Sequence, residues 1–117
     1  MIGPLTRLPL SRMAVCDLRL KPLLFFQFSP RGEYVSFFGD LDYLTVPPSA
    51  FLGRPIRDVL SSIGELFHRT IADVVSFDTR RQINYTLTIR HRALAFTAVL
   101  WRGGPSLVNC CVYARTP

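Results

Sequence analysis

The chain has 117 residues, of which 49% are hydrophobic and 19% are charged. This length allows one domain with a modest core, and this composition excludes an intrinsically disordered chain. The longest apolar run, at 93–101, is too short to cross a bilayer, and the arginine-containing N-terminus has no pattern of a signal peptide. We therefore expect one globular domain in the cytoplasm, with no membrane partner.

The net charge is +6, and arginine supplies nearly all of the positive charge. A basic chain can favour nucleic acid or another acidic partner. The arginines are scattered, however, and the tight basic groups are Arg80-Arg81 and Arg90-His91-Arg92, both expected at strand or turn edges. Such groups are usually solvated surface, so nucleic-acid binding is kept only as a second alternative function.

Motifs for catalysis and for metal binding are missing from the sequence. The three cysteines have no CxxC or metal-finger spacing and are expected to be buried thiols. There is no P-loop, GxSxG or HExxH pattern, and the eight acidic residues are spread through predicted loops and helix surfaces. The sequence predicts a protein that is not an enzyme and has no catalytic residues.

The first predicted elements are an irregular N-terminal segment and a β-hairpin. Residues 1–21 contain Pro4 and Pro9 and room for one short helix. Two aromatic, strand-like runs at 23–28 and 33–38 flank the Pro-Gly turn of 29–32. Both faces of the first run are apolar, which predicts a strand that is covered on both sides.

Helical segments follow the hairpin. Proline and glycine recur every few residues from 39 to 64, so only short helical turns fit, at 40–44, 47–51 and 55–60. Residues 62–76 have the apolar spacing of a longer amphipathic helix.

Three strands complete the chain, at 81–90, 91–102 and 106–115. The first alternates apolar and polar residues and is predicted to be half-buried, whereas the second is apolar on both faces. The element order predicts an α+β fold, with a five-stranded antiparallel sheet and its helices packed on one face. The other face needs a cover over Leu23, Phe25, Leu94, Phe96 and Leu100, or over the residues that alternate with them.

Four local motifs in this order resemble those of PAS domains, over about residues 22–117. FSPRGEY (28–34) resembles the family hairpin f-D-x-d-G-x-i, with Ser29 at the usual acidic position. FLGRPIRDVL (51–60) resembles the turn and helix flG-k-x-i-x-d-v-l, and ELFHRTIADVV (65–75) followed by QINYTL resembles a bacterial pattern of a long helix and a strand. The ending CCVYARTP is similar to v-v-R-D-i-T, although only Arg115 and Thr116 match loosely.

The resemblance implies the PAS fold and a sensory, protein-interaction module of bacterial signal transduction, either stand-alone or excised from a longer protein. Residues 1–21 would be an N-terminal cap or dimerisation segment on the outer sheet face, and 22–117 the PAS domain. A homodimer is expected, together with a signalling partner such as a histidine kinase, a diguanylate cyclase or a response regulator.

The resemblance also implies candidate sites. A small apolar ligand would bind between sheet and helices; the alternative is that the side chains lining this space fill the core by themselves. The candidate lining residues are Phe26, Phe28, Phe67, His68, Ile71, Val75, Tyr85 and Leu87. The candidate dimer interface comprises Leu8, Leu10, Met13, Leu23 and Phe25.

His68 carries the alternative function, a haem-binding gas or redox sensor. Haem-binding relatives place an axial histidine on the long helix after a G-x-x-I turn, which Gly53 and Ile56 match here. A neutral imidazole on an apolar face is a suitable iron ligand. A core-packing role for His68 remains the simpler interpretation, so no cofactor and no metal is firmly predicted.

Overall fold

The computed structural model describes residues 22–115, and the predicted five-stranded antiparallel sheet is confirmed. The strands lie in the order β2-β1-β5-β4-β3. Their bounds are β1 Leu24–Phe28, β2 Tyr34–Gly39, β3 Arg81–Ile89, β4 Arg92–Gly104 and β5 Leu107–Ala114.

The helical segments between β2 and β3 are also confirmed, each within a few residues of its predicted bounds. A 3₁₀ turn covers Leu41–Tyr43, and two single-turn helices follow, α1 at Pro48–Phe51 and α2 at Ile56–Val59. Helix α3 runs from Ser62 to Phe77 and ends at Asp78, which has left-handed backbone angles. These helices cover one face of the sheet, which we call the inner face, as expected for α+β architecture.

The β1–β2 turn is stabilised by its own side chains. Ser29 Oγ accepts hydrogen bonds from the backbone amides of Arg31 at 3.2 Å and Glu33 at 3.1 Å. A serine hydroxyl thus fills the turn-stabilising place where the family pattern has an acidic residue. Gly32 follows at φ 86, a backbone region that glycine enters without steric cost.

The segment that leads into α2 pairs with the start of β2. Tyr34 exchanges backbone hydrogen bonds with Gly53 and Arg54, and the Ile56 amide donates to the Gly32 carbonyl at 2.9 Å. This pairing fixes α2 beside the hairpin. Helix α3 then crosses close to α2, because Gly64 is buried with no side chain between the two backbones.

The core lies between the inner face and the helices. Alternation predicts the inward residues of β1 and β3 correctly, since Leu24, Phe26, Phe28, Ile83 and Tyr85 are all buried there. In β4 both faces are apolar, and the pattern allows either Leu94, Phe96 and Leu100 or the residues that alternate with them to face outward. Pairing in register with the inward residues of β3 and β5 turns these three inward, so their alternates face outward.

The outer face of the sheet carries a mixture of polar and apolar side chains. Gln27 Nε2 donates to Asn109 Oδ1 at 3.1 Å, and Ser36 Oγ donates to Gln27 Oε1 at 2.8 Å, so a polar ladder crosses three strands. Between residues 22 and 115, no helix is long and apolar enough to span a membrane.

Candidate functional site

A small cavity lies in the core between the sheet and the helical segments. Its volume is about 40 Å³, several times the minimum for one water molecule but well below a cavity that holds a benzene ring. Every layer of the domain contributes to its walls. The lining residues are Leu24, Phe26, Phe28, Tyr34, Tyr43, Leu44, Thr45, Val46, Phe51, Ile56, Val59, Leu60, Phe67, Tyr85, Leu87 and Phe96.

Aromatic rings form the walls on two sides of this cavity. On the hairpin side, Tyr34 packs against Phe28 and Phe51, with ring centroids 4.9 and 4.6 Å apart. On the β3–β4 side, Tyr85 stacks on Phe96 at 5.4 Å and meets the edge of Phe67 at 5.2 Å. Aromatic pairs in such arrangements each stabilise the packing by about 0.5–1.5 kcal/mol beyond the area that they bury.

The polar groups of this lining are hydroxyls, from three tyrosines and Thr45. Burial raises the pKa of Tyr34 and of Tyr85 far above the ordinary value, and the nearby Cys110 thiol raises both further. Burial, followed by the neighbouring Cys111, likewise raises the pKa of Cys110. The two buried tyrosines therefore remain neutral hydrogen-bond donors at physiological pH, and no charged side chain lines the cavity among the described residues.

These raised pKa values predict a loss of stability in alkali. Each group stays protonated in the folded protein but ionises in the unfolded chain above its ordinary pKa, 9.0 for Cys110 and 10.0 for the tyrosines. Stability should be intact below about pH 9 and fall by about 1.4 kcal/mol per pH unit for each group beyond its ordinary pKa. Urea unfolding between pH 7 and 11 measures how the free energy of unfolding changes with pH. Tyr85→Phe removes one of the three groups, so it should lower the slope above pH 10 by the contribution of that one group. An equal slope in that variant would contradict the assignment.

Five of the eight predicted ligand-site residues line the cavity. They are Phe26, Phe28, Phe67, Tyr85 and Leu87. The other three do not line the cavity. Ile71 is buried elsewhere in the core, Val75 packs against the margin of the core, and His68 lies on the flank of α3. The separation of His68 from Phe67 follows from helix geometry, because adjacent residues point about 100° apart.

His68 faces the hairpin turn and α2. Its Nε2 lies 3.3 Å from Arg57 Nη1, and a Cβ on Gly32 would come within 3.1 Å of its Nδ1. Nδ1 is buried and has no hydrogen-bond partner among residues 22–115. Haem does not fit these residues, since one ring nitrogen faces a guanidinium, the other lies against Gly32, and the cavity is too small and excludes His68.

Sequence reasoning missed most of the helical side of the cavity. Phe51 and Ile56 belong to the FLGRPI motif, which marked this segment as a PAS element and was the signal available for them. Leu24 shares a strand face with Phe26 and Phe28, so alternation also pointed to it. The irregular segment 43–46 has no periodicity, and nothing in the sequence places it at the cavity.

The two described residues of the predicted dimer interface, Leu23 and Phe25, are both partly buried. Phe25 lies on the outer face and pairs across strands with Phe38, which is 79% exposed, whereas Leu23 packs against the core. Leu8, Leu10 and Met13 lie outside the described residues. The edge strand β2 thus presents an exposed aromatic side chain on the outer face of the sheet.

The two basic groups lie at opposite ends of the β3–β4 hairpin. Arg81 pairs with Leu100 at one end, and Ile89 pairs with Arg92 at the other. Nine strand residues separate the ends by about 26 Å, so the groups do not form one basic patch. Within 22–115, no three His, Cys, Asp or Glu side chains gather as a metal site.

Comparison with known proteins gives structural but not sequence relatives. No family model and no curated protein matches the chain. The PAS domain of the Cronobacter turicensis quorum-sensing receptor RpfR, solved in complex with C12:0, superposes with a TM-score of 0.67 at 10% identity, over 82% of this chain and 96% of that one.

Two further solved structures show the same likeness. The PAS domain of Bordetella pertussis BvgS has a TM-score of 0.65 at 14% identity, covering 92% of this chain and 88% of its own. A Vibrio cholerae sensory box sensor histidine kinase has a TM-score of 0.67 at 12% identity, covering 92% and 93%. Strand order, helix placement and these superpositions agree with the sequence motifs, and the chain has the fold of a PAS domain.

Proposed function

We propose that this protein is a non-catalytic, cytoplasmic sensory module that binds a small, predominantly apolar molecule in its core cavity. The observation that carries the proposal is the cavity itself, which lies between sheet and helices, is walled by aromatic rings and has a few hydroxyls. At about 40 Å³ the cavity must widen, by displacement of one of its walls, to admit a ligand as large as benzene or larger. Ligand sites are typically apolar walls with a small number of polar groups that orient the ligand. Occupancy would shift the domain between two packings and so reach a signalling partner.

The structural neighbours support this proposal. The RpfR PAS domain is described in complex with C12:0, and the Vibrio cholerae neighbour is described as a sensor histidine kinase. A histidine kinase is therefore the first partner we propose, with a diguanylate cyclase or a response regulator as the other candidates.

We also propose a homodimer formed through the outer sheet face together with residues 1–21. The aromatic pair Phe25 and Phe38 supports this surface, because burying a phenylalanine that is 79% exposed on an edge strand would favour association.

Native mass spectrometry tests ligand and dimer together. We expect the full chain to carry one bound molecule per protomer, either acquired during expression or added as 1-octanol, and to have the mass of a dimer. Leu87→Phe should abolish the adduct, because Leu87 lines the cavity and the larger ring fills it. Leu94→Phe is the matched control, since Leu94 faces Leu87 across the hairpin but does not line the cavity.

The outcomes separate the two proposals. Absence of any adduct in the wild type, or an adduct that persists in Leu87→Phe, would overturn ligand binding in this cavity. A monomer at every micromolar concentration would overturn the dimer and leave the ligand site unaffected.

A further inference from the structure

A second, larger concavity lies beside the core cavity. This outer groove has a volume of about 370 Å³ and runs between the segment after β2 and the end of β3. Its rim includes Leu41, Pro47, Thr88 and Arg90. Unlike the cavity, the groove includes a charged side chain.

The cavity and the groove share one wall. Leu44, Thr45 and Val46 line both of them. These three residues lie in neither a helix nor a strand, and among residues 22–115 the amides of Thr45 and Val46 donate no backbone hydrogen bond. Leu44 and Val46 also pack against the core, so opening this wall breaks few backbone hydrogen bonds but exposes two aliphatic side chains. Displacement of the wall would join cavity and groove into one channel.

The charge at the groove is held by an ion pair that spans the fold. Arg90 Nη2 lies 3.1 Å from Asp42 Oδ1, so the pair links the turn after β3 to the 3₁₀ turn after β2. Both side chains are about 70% exposed, which makes this pair weak and exchangeable for another anion.

The backbone that presents Arg90 is strained. Arg90 and His91 form the two-residue turn between β3 and β4 with φ values of 54 and 68. Such a turn favours Asn-Gly, because positive φ is costly for larger side chains. Strain of this kind is often found where a side chain has a function, and here it places a guanidinium at the groove.

We propose that the ligand is an amphipathic monoanion, an apolar chain ending in a carboxylate. Displacement of the Leu44–Val46 wall joins the 40 Å³ cavity to the 370 Å³ groove, and the chain runs from the aromatic rings through this opening, so that its carboxylate binds Arg90 in place of Asp42. The uncharged cavity requires this orientation, because a carboxylate buried there without a partner would be strongly disfavoured. The inference rests on the proposed ligand-binding function and adds the ligand class and the exit route.

Binding on this route would also provide a signal. Displacement of Asp42 from Arg90 breaks a side-chain link between the helical segment and the β3–β4 turn. The ligand therefore replaces the Asp42–Arg90 contact with its own contact to Arg90. It binds one conformation of the domain better than the other, and this difference in affinity is what shifts the populations.

Isothermal titration of the full chain with octanoate and with 1-octanol, at low ionic strength, tests this inference. We expect octanoate to bind more tightly than octanol. Arg90→Gln should weaken octanoate about threefold to fivefold, the range for a partly exposed ion pair, and leave octanol unchanged. Asp42→Asn should strengthen octanoate by about twofold, because it frees Arg90. Arg92→Gln is the matched control, since it removes the same charge two residues away and should leave both affinities unchanged.

Three outcomes would overturn the inference. They are octanol binding as tightly as octanoate, an equal effect of Arg90→Gln and Arg92→Gln, and octanoate binding that persists in Leu87→Phe. The first two outcomes overturn only the role of the carboxylate and Arg90. If octanol still binds the wild type and this binding is lost in Leu87→Phe, the proposed ligand binding in the cavity stands. If neither probe binds, both the inference and the proposed ligand binding fail.

Discussion

Replacing Phe51 with alanine is expected to lower the free energy of unfolding by about 3–5 kcal/mol, a large part of the stability of a domain this size. Phe51 is 2% exposed and packs against the rings of Phe26, Tyr34 and Phe37. It also lines the cavity, so its removal enlarges a void that the neighbouring rings cannot close. Helix α1 has only four residues and cannot form without such an anchor.

Urea denaturation measures this loss, and Phe77→Ala provides the control. Phe77 is 69% exposed at the end of α3, so removing its ring should change the stability by less than about 0.5 kcal/mol. Comparable losses in the two variants would show that ring burial around Phe51 does not stabilise the fold as described.

Gly64→Ala is expected to destabilise the domain by about 1–3 kcal/mol, although alanine is the better helix former by about 1 kcal/mol. Gly64 is buried in the first turns of α3, and an added Cβ would lie 2.5 Å from the Ile56 carbonyl oxygen and 2.9 Å from Arg57 Cα. Both atoms belong to the backbone, so α2 and α3 must move apart. This movement would also shift Ile56 in the cavity wall.

Ser76→Ala is the matched control in the same helix, because Ser76 is exposed and the change tests helix propensity alone. It should leave stability unchanged or raise it by a few tenths of a kcal/mol. A Gly64→Ala variant that is as stable as Ser76→Ala would show that the two helices do not need this close approach. Thermal or urea unfolding, with the two variants measured side by side, decides between these results.

The elements of the fold were predictable because their signals are local. Strict alternation at Ile83 and Tyr85 identified β3 and its inward face, and the Pro-Gly turn after Phe28 identified the hairpin. The long amphipathic spacing identified α3. Each of these patterns is a property of a few neighbouring residues, so it is independent of the rest of the chain.

The candidate site was only partly predictable because its members come from eight different elements and from the irregular segment 44–46. Local pattern gives the face of a residue but not its neighbours, so Phe26 and Tyr85 were placed in the site while Tyr34 and Phe51 were missed. In β4, where both faces are apolar, the pattern could not choose a face, and register with β3 made the choice.

His68 shows the limit most clearly. The sequence determined that it lies in the long helix, beside apolar residues and after a G-x-x-I turn, and this placement is correct. Only the tertiary structure decided which way the imidazole faces, since the close approach of α3 to α2 and to the β1–β2 turn puts Arg57 and Gly32 beside it. The sequence thus determined the elements and their order, through short-range periodicity and turn chemistry. Packing between distant segments decided the cavity, its shared wall and the Asp42–Arg90 pair, because those contacts join residues far apart in the chain, as Asp42 and Arg90 are at a separation of 48 positions.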